Sequence, residues 1–339
     1  MIIDERNIKI WSTIGARATF GIAALEIAKK IDNLIVCTCD VSTSAGLDRF
    51  RKTLPDKYYD LGIAEQNLIG VAAGLASEGF NVITTTFAPF QTLRCCEQIK
   101  VNLGYMKQKI CMVGIGSGLA LGTLGFTHCC VEDVGVLRSI PNLNIVSPAD
   151  SLETVKALEA AVKSKKSTYL RLTGSSNNPI IYNKDYEFEI GKSVTLIDGS
   201  DIVIFCAGAI TKNCLIAADI LKEKNISTKV VNMHTIKPID KKILDESQTF
   251  KLIVSVEEHN IFGGLGSAIS EYNSTLKNSP KQLFLGVKDV YGKGGTYDYL
   301  KEKHRLEPKN YKYSKTTNYL NIVQFRTYLS FETPFFSKD

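Results

Sequence analysis

The 339-residue chain is 44% hydrophobic and carries 41 basic against 35 acidic residues, a net charge of +6 dispersed along its length. A chain of this size holds one large or two medium cores, and a scattered positive excess suits small anions while excluding the basic stripe of a nucleic-acid binder. Nine cysteines without a Cys-x-x-Cys exclude a disulfide framework or zinc site and point to buried thiols in a reducing cytosol. The opening "MIIDERNIKIWST" lacks a basic head before an apolar core, and no apolar run approaches the roughly 20 residues of a membrane span. A soluble, unprocessed protein is expected.

From about residue 34, short β-rich runs alternate with amphipathic helices: "LIVCTCDV", "KYYDLG", a helix opening at Glu65, "NVITTTF", a helix from about Gln91, "KICMVGIG", "VEDVGVLRSI", "NLNIVSP", "SLETVKALEAAVKS" and "TYLRLT". This alternation predicts a parallel sheet with crossover helices, covered on both faces where strands are continuously apolar. The polar stretch "TGSSNNPIIYNKDYEFEIGK" breaks the rhythm and reads as a linker. A second series, from "DIVIFCAG" to "TYDYLKEKHR", predicts a smaller parallel sheet. The fold class is α/β, with two doubly wound parallel-sheet domains. Beyond about Lys309 the aromatic run "YKYSKTTNYLNIVQFRTYLSFETPFFSKD" has no clear period and reads as a packed tail or an interaction arm.

The stretch "DLGIAEQNLIGVAAGLASEG" sets Glu65 in the first turn of a helix rich in Gly and Ala. Gly70 and Gly74 would allow another backbone to approach, so the helix is expected to be buried. A first-turn carboxylate is favoured by the helix dipole. Apolar surroundings would also make it an acid suited to exchanging a proton with a ring nitrogen. Phe87 and Phe90, three apart at a strand end, are core aromatics or the walls of a flat ligand. His128, one of four histidines, falls on a loop.

Five segments in order, "DLGIAEQNLIGVAAGLASEG", "TTFAPF", "GTLGFTHCCVEDVGVLRSIPNLNIVSPAD", "VVNMHTIKPID" and "VEEHNIFGGLGSAISE", resemble the carboxy-terminal half of transketolases over about residues 9–308. That resemblance implies a thiamine diphosphate pyrimidine-binding domain at 1–175, a linker at 176–194, the family's C-terminal domain at 195–308 and a tail at 309–339. It implies transfer of a two-carbon ketol unit from a ketose, in phosphorylated form, to an aldose. Glu65 matches the glutamate that hydrogen-bonds N1′ of the aminopyrimidine and promotes loss of the thiazolium C2 proton. Phe87 and Phe90 match the pyrimidine walls, with Leu93 where a third aromatic stands. His128 matches the histidine that serves the hydroxyls of the donor. Arg17, Ser44 and Arg171 match positions that hold the sugar phosphate, and Asp40 matches an acid near the cofactor or caps a strand-end turn.

The chain departs from single-chain members at Thr123-Leu124 (an acidic pair there), Gly116 (a phosphate-binding histidine), Phe126 (a proline) and Cys129 (often a second histidine in two-subunit relatives). No G-D-G occurs, so the oxygen ligands for Mg2+ and the diphosphate are expected from a separate diphosphate-binding subunit, in an α2β2 assembly. A glycine-rich "GIGSGLALG" misses nucleotide-loop spacing. His234 and His259 read as structural. Rival readings are the β subunit of a 2-oxo acid dehydrogenase, a deoxyxylulose phosphate synthase, and a non-catalytic relative that only binds a partner.

Overall fold

The computed structural model describes residues 1–310; the aromatic run beyond them lies outside the described residues. Asp4 is extended, and its carboxylate accepts the Asn7 N–H at 2.7 Å, which starts helix α1 (Glu5–Ala28). This helix precedes the alternating pattern. Then come β1 (Leu34–Thr38), α2 (Asp48–Thr53), β2 (Tyr58–Asp60), α3 (Glu65–Ser77) and β3 (Asn81–Phe87). The single helix expected from Gln91 is three pieces: α4 (Ala88–Thr92), α5 (Cys96–Gln98) and a π-helical stretch, Ile99–Tyr105. The first series ends with β4 (Ile110–Ile115), α6 (Asp133–Arg138), β5 (Leu143–Val146), α7 (Ser151–Lys163) and β6 (Ser167–Leu172).

The second series begins with β7 (Val194–Ile197), β8 (Ile202–Cys206), α8 (Thr211–Lys222), β9 (Thr228–Asn232) and β10 (Thr235–Lys237). It continues through α9 (Lys241–Glu246), β11 (Leu252–Asn260), α10 (Leu265–Asn273), β12 (Lys281–Val287) and α11 (Tyr297–Lys303). Two sheets result, in the orders β10-β5-β6-β4-β3-β1-β2 and β12-β11-β8-β9-β7. Both are parallel except for one antiparallel edge strand each, β10 against β5 and β7 against β9.

The expected two-sheet α/β architecture is therefore present, with one exchange. The run "TKVVNMHTI" splits, so that β9 stays in the second sheet while β10 crosses to the edge of the first. The Ser147 N–H donates to the His234 carbonyl at 2.8 Å and seats that crossing. One face of the first sheet is covered by α1 and α7 through Phe20, Leu25, Leu158 and Val162; the other carries Leu68 and Ile69 of α3.

The linker is more ordered than its composition suggests. Asp150 caps α7 through the Glu153 N–H (2.8 Å), and its other oxygen accepts the N–H groups of Ile181 and Tyr182, both at 2.9 Å. Burial pushes the Asp150 carboxyl up to about 6. Glu153 in turn receives Asn232 Nδ2 (3.0 Å) and the Tyr186 hydroxyl (2.6 Å), so buried acids staple the linker to both halves. These acids carry cap and hydrogen-bond duties and stand apart from the site described next.

Candidate active site

In the first sheet the chain leaves β1 toward β2 on one side and returns as β3 on the other, so a topological switch lies between β1 and β3. Ligands of open α/β sheets bind in the crevice at the carboxyl ends of strands at such a point. The segments after β2, β3 and β4 carry Glu65, Phe87 with Phe90, and His128.

Glu65 is the first residue of α3 and only 3% exposed. Its surroundings are not the apolar pocket expected for a neutral acid: Arg94 Nη1 donates to Glu65 Oε2 at 2.8 Å. The Arg94 guanidinium lies 4.1 Å from the Phe90 ring centroid, so the same side chain holds the carboxylate and stacks on an aromatic wall. The Gln66 side chain donates to the Arg94 carbonyl at 3.1 Å, fixing the arginine from the other side. Glu65 Oε1 has no hydrogen-bond partner among the described residues.

Phe87 ends β3, and Pro89, the second residue of α4, lacks the N–H that the first turn leaves unused. This tight strand-to-helix passage sets Phe90 edge-on to Phe87, with centroids 6.3 Å apart at 80°. The His128 ring meets both, at 5.4 Å from Phe90 and 6.0 Å from Phe87. Its Nδ1 pairs with Thr127 Oγ1 at 3.0 Å, leaving Nε2 for other partners. Four of the predicted residues thus form one cluster joined through Arg94, which sequence reasoning missed. The signal was present: Arg94 follows Phe90 at helical i, i+4 spacing. Leu93, in place of a third aromatic, is 40% exposed, and the adjacent guanidinium covers Phe90 instead.

Three other predicted residues lie nearby. Asp40 follows β1 at φ +54°, exposed, and its N–H donates to Asp60 Oδ1 at 2.9 Å. Its own carboxylate makes no hydrogen bond among the described residues. Arg17 is half-buried two residues after Gly15, whose φ of +82° kinks α1. Burial lowers its pKa, and its guanidinium has no ion pair among the described residues. Exposed Ser44 occupies the turn before Gly46, and a Cβ on Gly46 would stand 3.0 Å from the Arg17 carbonyl, so the two segments pack directly.

Arg171 requires correction as a phosphate-binding residue. It is 2% exposed, and its Nε donates to both Asp133 oxygens at 3.0 and 2.9 Å while Nη2 donates to the carbonyls of Cys130 (3.2 Å) and Glu258 (2.7 Å). Tyr169 adds a hydroxyl to Asp133 at 2.8 Å. This paired, buried guanidinium joins the two halves of the chain, its Nε and Nη2 donors spent on Asp133, Cys130 and Glu258. His259, 1% exposed, accepts the Gly135 N–H at 3.2 Å in the same junction. His234, 1% exposed, stacks on Phe188 at 4.3 Å; its burial pushes the imidazole down to about 4.

The Gly70/Gly74 face is not covered by the described residues of this chain. Leu68, Ile69, Ala72 and Ala73 are the buried side of α3, whereas both glycines are exposed and a Cβ on either would meet nothing within 4 Å. Among the departures, Gly116 sits at φ +66° with Leu121 2.6 Å from any Cβ, so a histidine has no room there. Cys129 is core, with its thiol pushed up to about 11 by burial and nearby carboxylates. Phe126 packs edge-on to Tyr291 (5.8 Å) and His304 (5.9 Å), and the Gly295 N–H donates to the Gly122 carbonyl at 2.9 Å, so the second domain anchors the His128 loop.

A buried acid opening a helix, two aromatic rings and a histidine thus meet at the switch point. The models of the transketolase pyrimidine-binding domain and the transketolase C-terminal domain match residues 12–178 and 191–310. The chain is 37% identical over 295 residues to the putative transketolase C-terminal section of Methanocaldococcus jannaschii, covering 86% of this chain and 92% of that one. It is 36% identical over 278 residues to an apulose-4-phosphate transketolase subunit of Phocaeicola vulgatus, covering 81% and 88%. A solved split-gene transketolase, an inactive β4 tetramer, superposes with a TM-score of 0.79 at 32% identity, covering 88% of this chain and 95% of that one. The chain belongs to the transketolase family, whose chemistry depends on thiamine diphosphate.

Proposed function

We propose that this chain is one subunit of a split transketolase, supplying the pyrimidine-binding half of an active site completed by a separate diphosphate-binding subunit. The observation that carries the reading is the Glu65–Arg94–Phe90–His128–Phe87 cluster at the switch point. The Phocaeicola vulgatus relative, itself one subunit of a transketolase, and the inactive β4 structure support the division of labour.

The residues present fit the pyrimidine end of thiamine diphosphate. Glu65 Oε1 is free to hold a ring nitrogen while Oε2 is held by Arg94, and Phe87 and Phe90 supply aromatic faces that orient a ring without competing for its polar edge. When bound, the cofactor supplies the carbon nucleophile that adds to the ketose carbonyl. Glu65 holds or moves the proton at N1′; His128, through Nε2, takes and returns protons at substrate hydroxyls and stabilises developing negative charge on oxygen. Arg17 and Ser44 bind a phosphate on the sugar, Arg17 with a guanidinium left free for it. Asp40 stands at the same strand edge, its carboxylate available to the cofactor. Mg2+ and the diphosphate require hard oxygen ligands, which the partner provides in an α2β2 complex. Nine free cysteines favour a reducing cytoplasm.

The test is a donor and acceptor screen of the two-subunit complex. Ketol transfer between sugar phosphates, lost on Glu65→Gln, supports the assignment. Decarboxylation of a 2-oxo acid without ketol transfer establishes the dehydrogenase reading, and cofactor binding without turnover establishes a non-catalytic relative.

A further inference from the structure

A cavity of about 440 Å³ opens between the linker and the second domain. Its walls are the segment 175–179, the start of α8 and one side of α11. Such a volume falls within the range of small-molecule sites.

Asn178 marks the cavity as more than a gap. It is 4% exposed, tucked against Gly174 and Ala209, yet neither its amide nitrogen nor its oxygen has a hydrogen-bond partner among the described residues. Neither amide atom is sealed from solvent: both keep access to the cavity that Asn178 lines. Asn213, 9% exposed on the same wall, donates Nδ2 to the Leu306 carbonyl at 2.9 Å and keeps its oxygen free. Two carboxamides therefore offer N–H donors and two carbonyl acceptors, the complement of hydroxyl groups.

The charge around the cavity selects the rest of the ligand. Lys212 is exposed and has no ion pair among the described residues, and the 12-residue α8 begins at Thr211 after Ile210, which gives no side-chain cap, adding its positive end. The first-turn N–H groups of Thr211, Lys212, Asn213 and Cys214 all donate to the carbonyls of Gly208, Ala209 and Ile210, so the helix contributes field and no free donor. Lys301 also faces the cavity, but Asp298 (3.0 Å) and Glu307 (3.5 Å) neutralise it. Among the described residues, Lys212 is the cation left without an ion pair on the wall.

We propose that this cavity is a second ligand site, for a small hydroxylated anion of the phosphorylated-polyol class, with Asn178 and Asn213 reading hydroxyls and Lys212 the phosphate. A ligand seated there touches both the linker and the C-terminal domain and ties them together.

The test uses the full chain and glycerol 3-phosphate, which has the hydroxyls and the phosphate but no carbonyl to serve as donor or acceptor substrate. Calorimetry or ligand-detected NMR should show saturable binding, weakened about tenfold or more, some 1.4 kcal/mol, by N178D and by K212E, and unchanged by R17A. K212E, at an exposed position, reads the site even if N178D destabilises the chain. Absence of saturation at millimolar ligand, equal binding of glycerol, or binding lost in R17A and kept in K212E would overturn the proposal; the last result assigns the anion to the substrate cleft.

Discussion

Arg94→Ala is the perturbation that most sharply tests how the Glu65 carboxylate is aimed. The structure gives Arg94 one charge-assisted hydrogen bond of 2.8 Å to an acid that is 4% exposed at its side chain, while the arginine side chain is 42% exposed. Hydrogen bonds to charged groups contribute roughly 1.5–3 kcal/mol, and solvent at the arginine reduces that to about 1–2 kcal/mol. Its stack on Phe90 adds about 0.5–1 kcal/mol to the ordering of the same wall. Loss of about 1.4–2 kcal/mol of positioning appears as a 10- to 30-fold fall in kcat/KM. The assay is steady-state ketol transfer by the two-subunit complex, with kcat and the cofactor KM separated. Arg94→Lys should recover part of the loss, since charge returns without the planar fork, and added guanidinium should partly rescue Arg94→Ala. If Arg94→Ala assembles normally and keeps kcat/KM within about twofold, the pair is incidental to Glu65 and the reasoning is wrong.

The remaining predictions concern chemistry, the domain junction and pH. Glu65→Gln keeps the shape of the side chain and should lower turnover by about 10²–10⁴-fold with circular dichroism and assembly unchanged; full activity would remove Glu65 from the mechanism. Arg171→Met strands the fully buried Asp133 carboxylate and should cost about 3–5 kcal/mol in urea unfolding, a penalty that a surface arginine would not produce. Phe126→Ala removes the contacts with Tyr291 and His304 and should lower kcat several-fold through the His128 loop while leaving the urea midpoint nearly unchanged. His234 titrates at about 4 when folded and at about 6.5 when unfolded, so between these values the unfolded chain binds more protons and this stability falls as pH drops. Its full size is on the order of 3 kcal/mol. Asp150, raised to about 6, opposes that trend because it loses stability as pH rises through the same region. The measurable quantity is therefore the stability difference between wild type and His234→Gln, which should move against wild type by on the order of 3 kcal/mol as pH falls from about 6.5 to 4.

Much of the fold is readable in the chain because periodicity and motif order are local. The alternation of apolar runs with amphipathic segments announces two parallel sheets, and the residues after β2, β3 and β4 meet at one switch point because strand direction alone brings carboxyl ends together. What escapes depends on distant partners. The exchange of β10 into the first sheet is set by pairing with β5, nearly a hundred residues earlier, and a three-residue strand has too little pattern to announce its neighbour. Arg171 resembles a surface cation in sequence because its partner Asp133 and the Glu258 carbonyl are far away along the chain. The apolar composition around Glu65 suggests a neutral acid and says nothing of an arginine beyond the next strand. The glycines of α3 signal a face without side chains but not whether this chain or another covers it, and in this chain it stays open.

Complementation measures most directly whether this chain holds half an active site. Ketol transfer is followed with thiamine diphosphate and Mg2+ present, first with this chain alone and then with increasing amounts of the diphosphate-binding subunit. Turnover should be absent alone and rise to saturation at equal subunit numbers. Tight cofactor binding and full turnover by the isolated chain would contradict the division of the site.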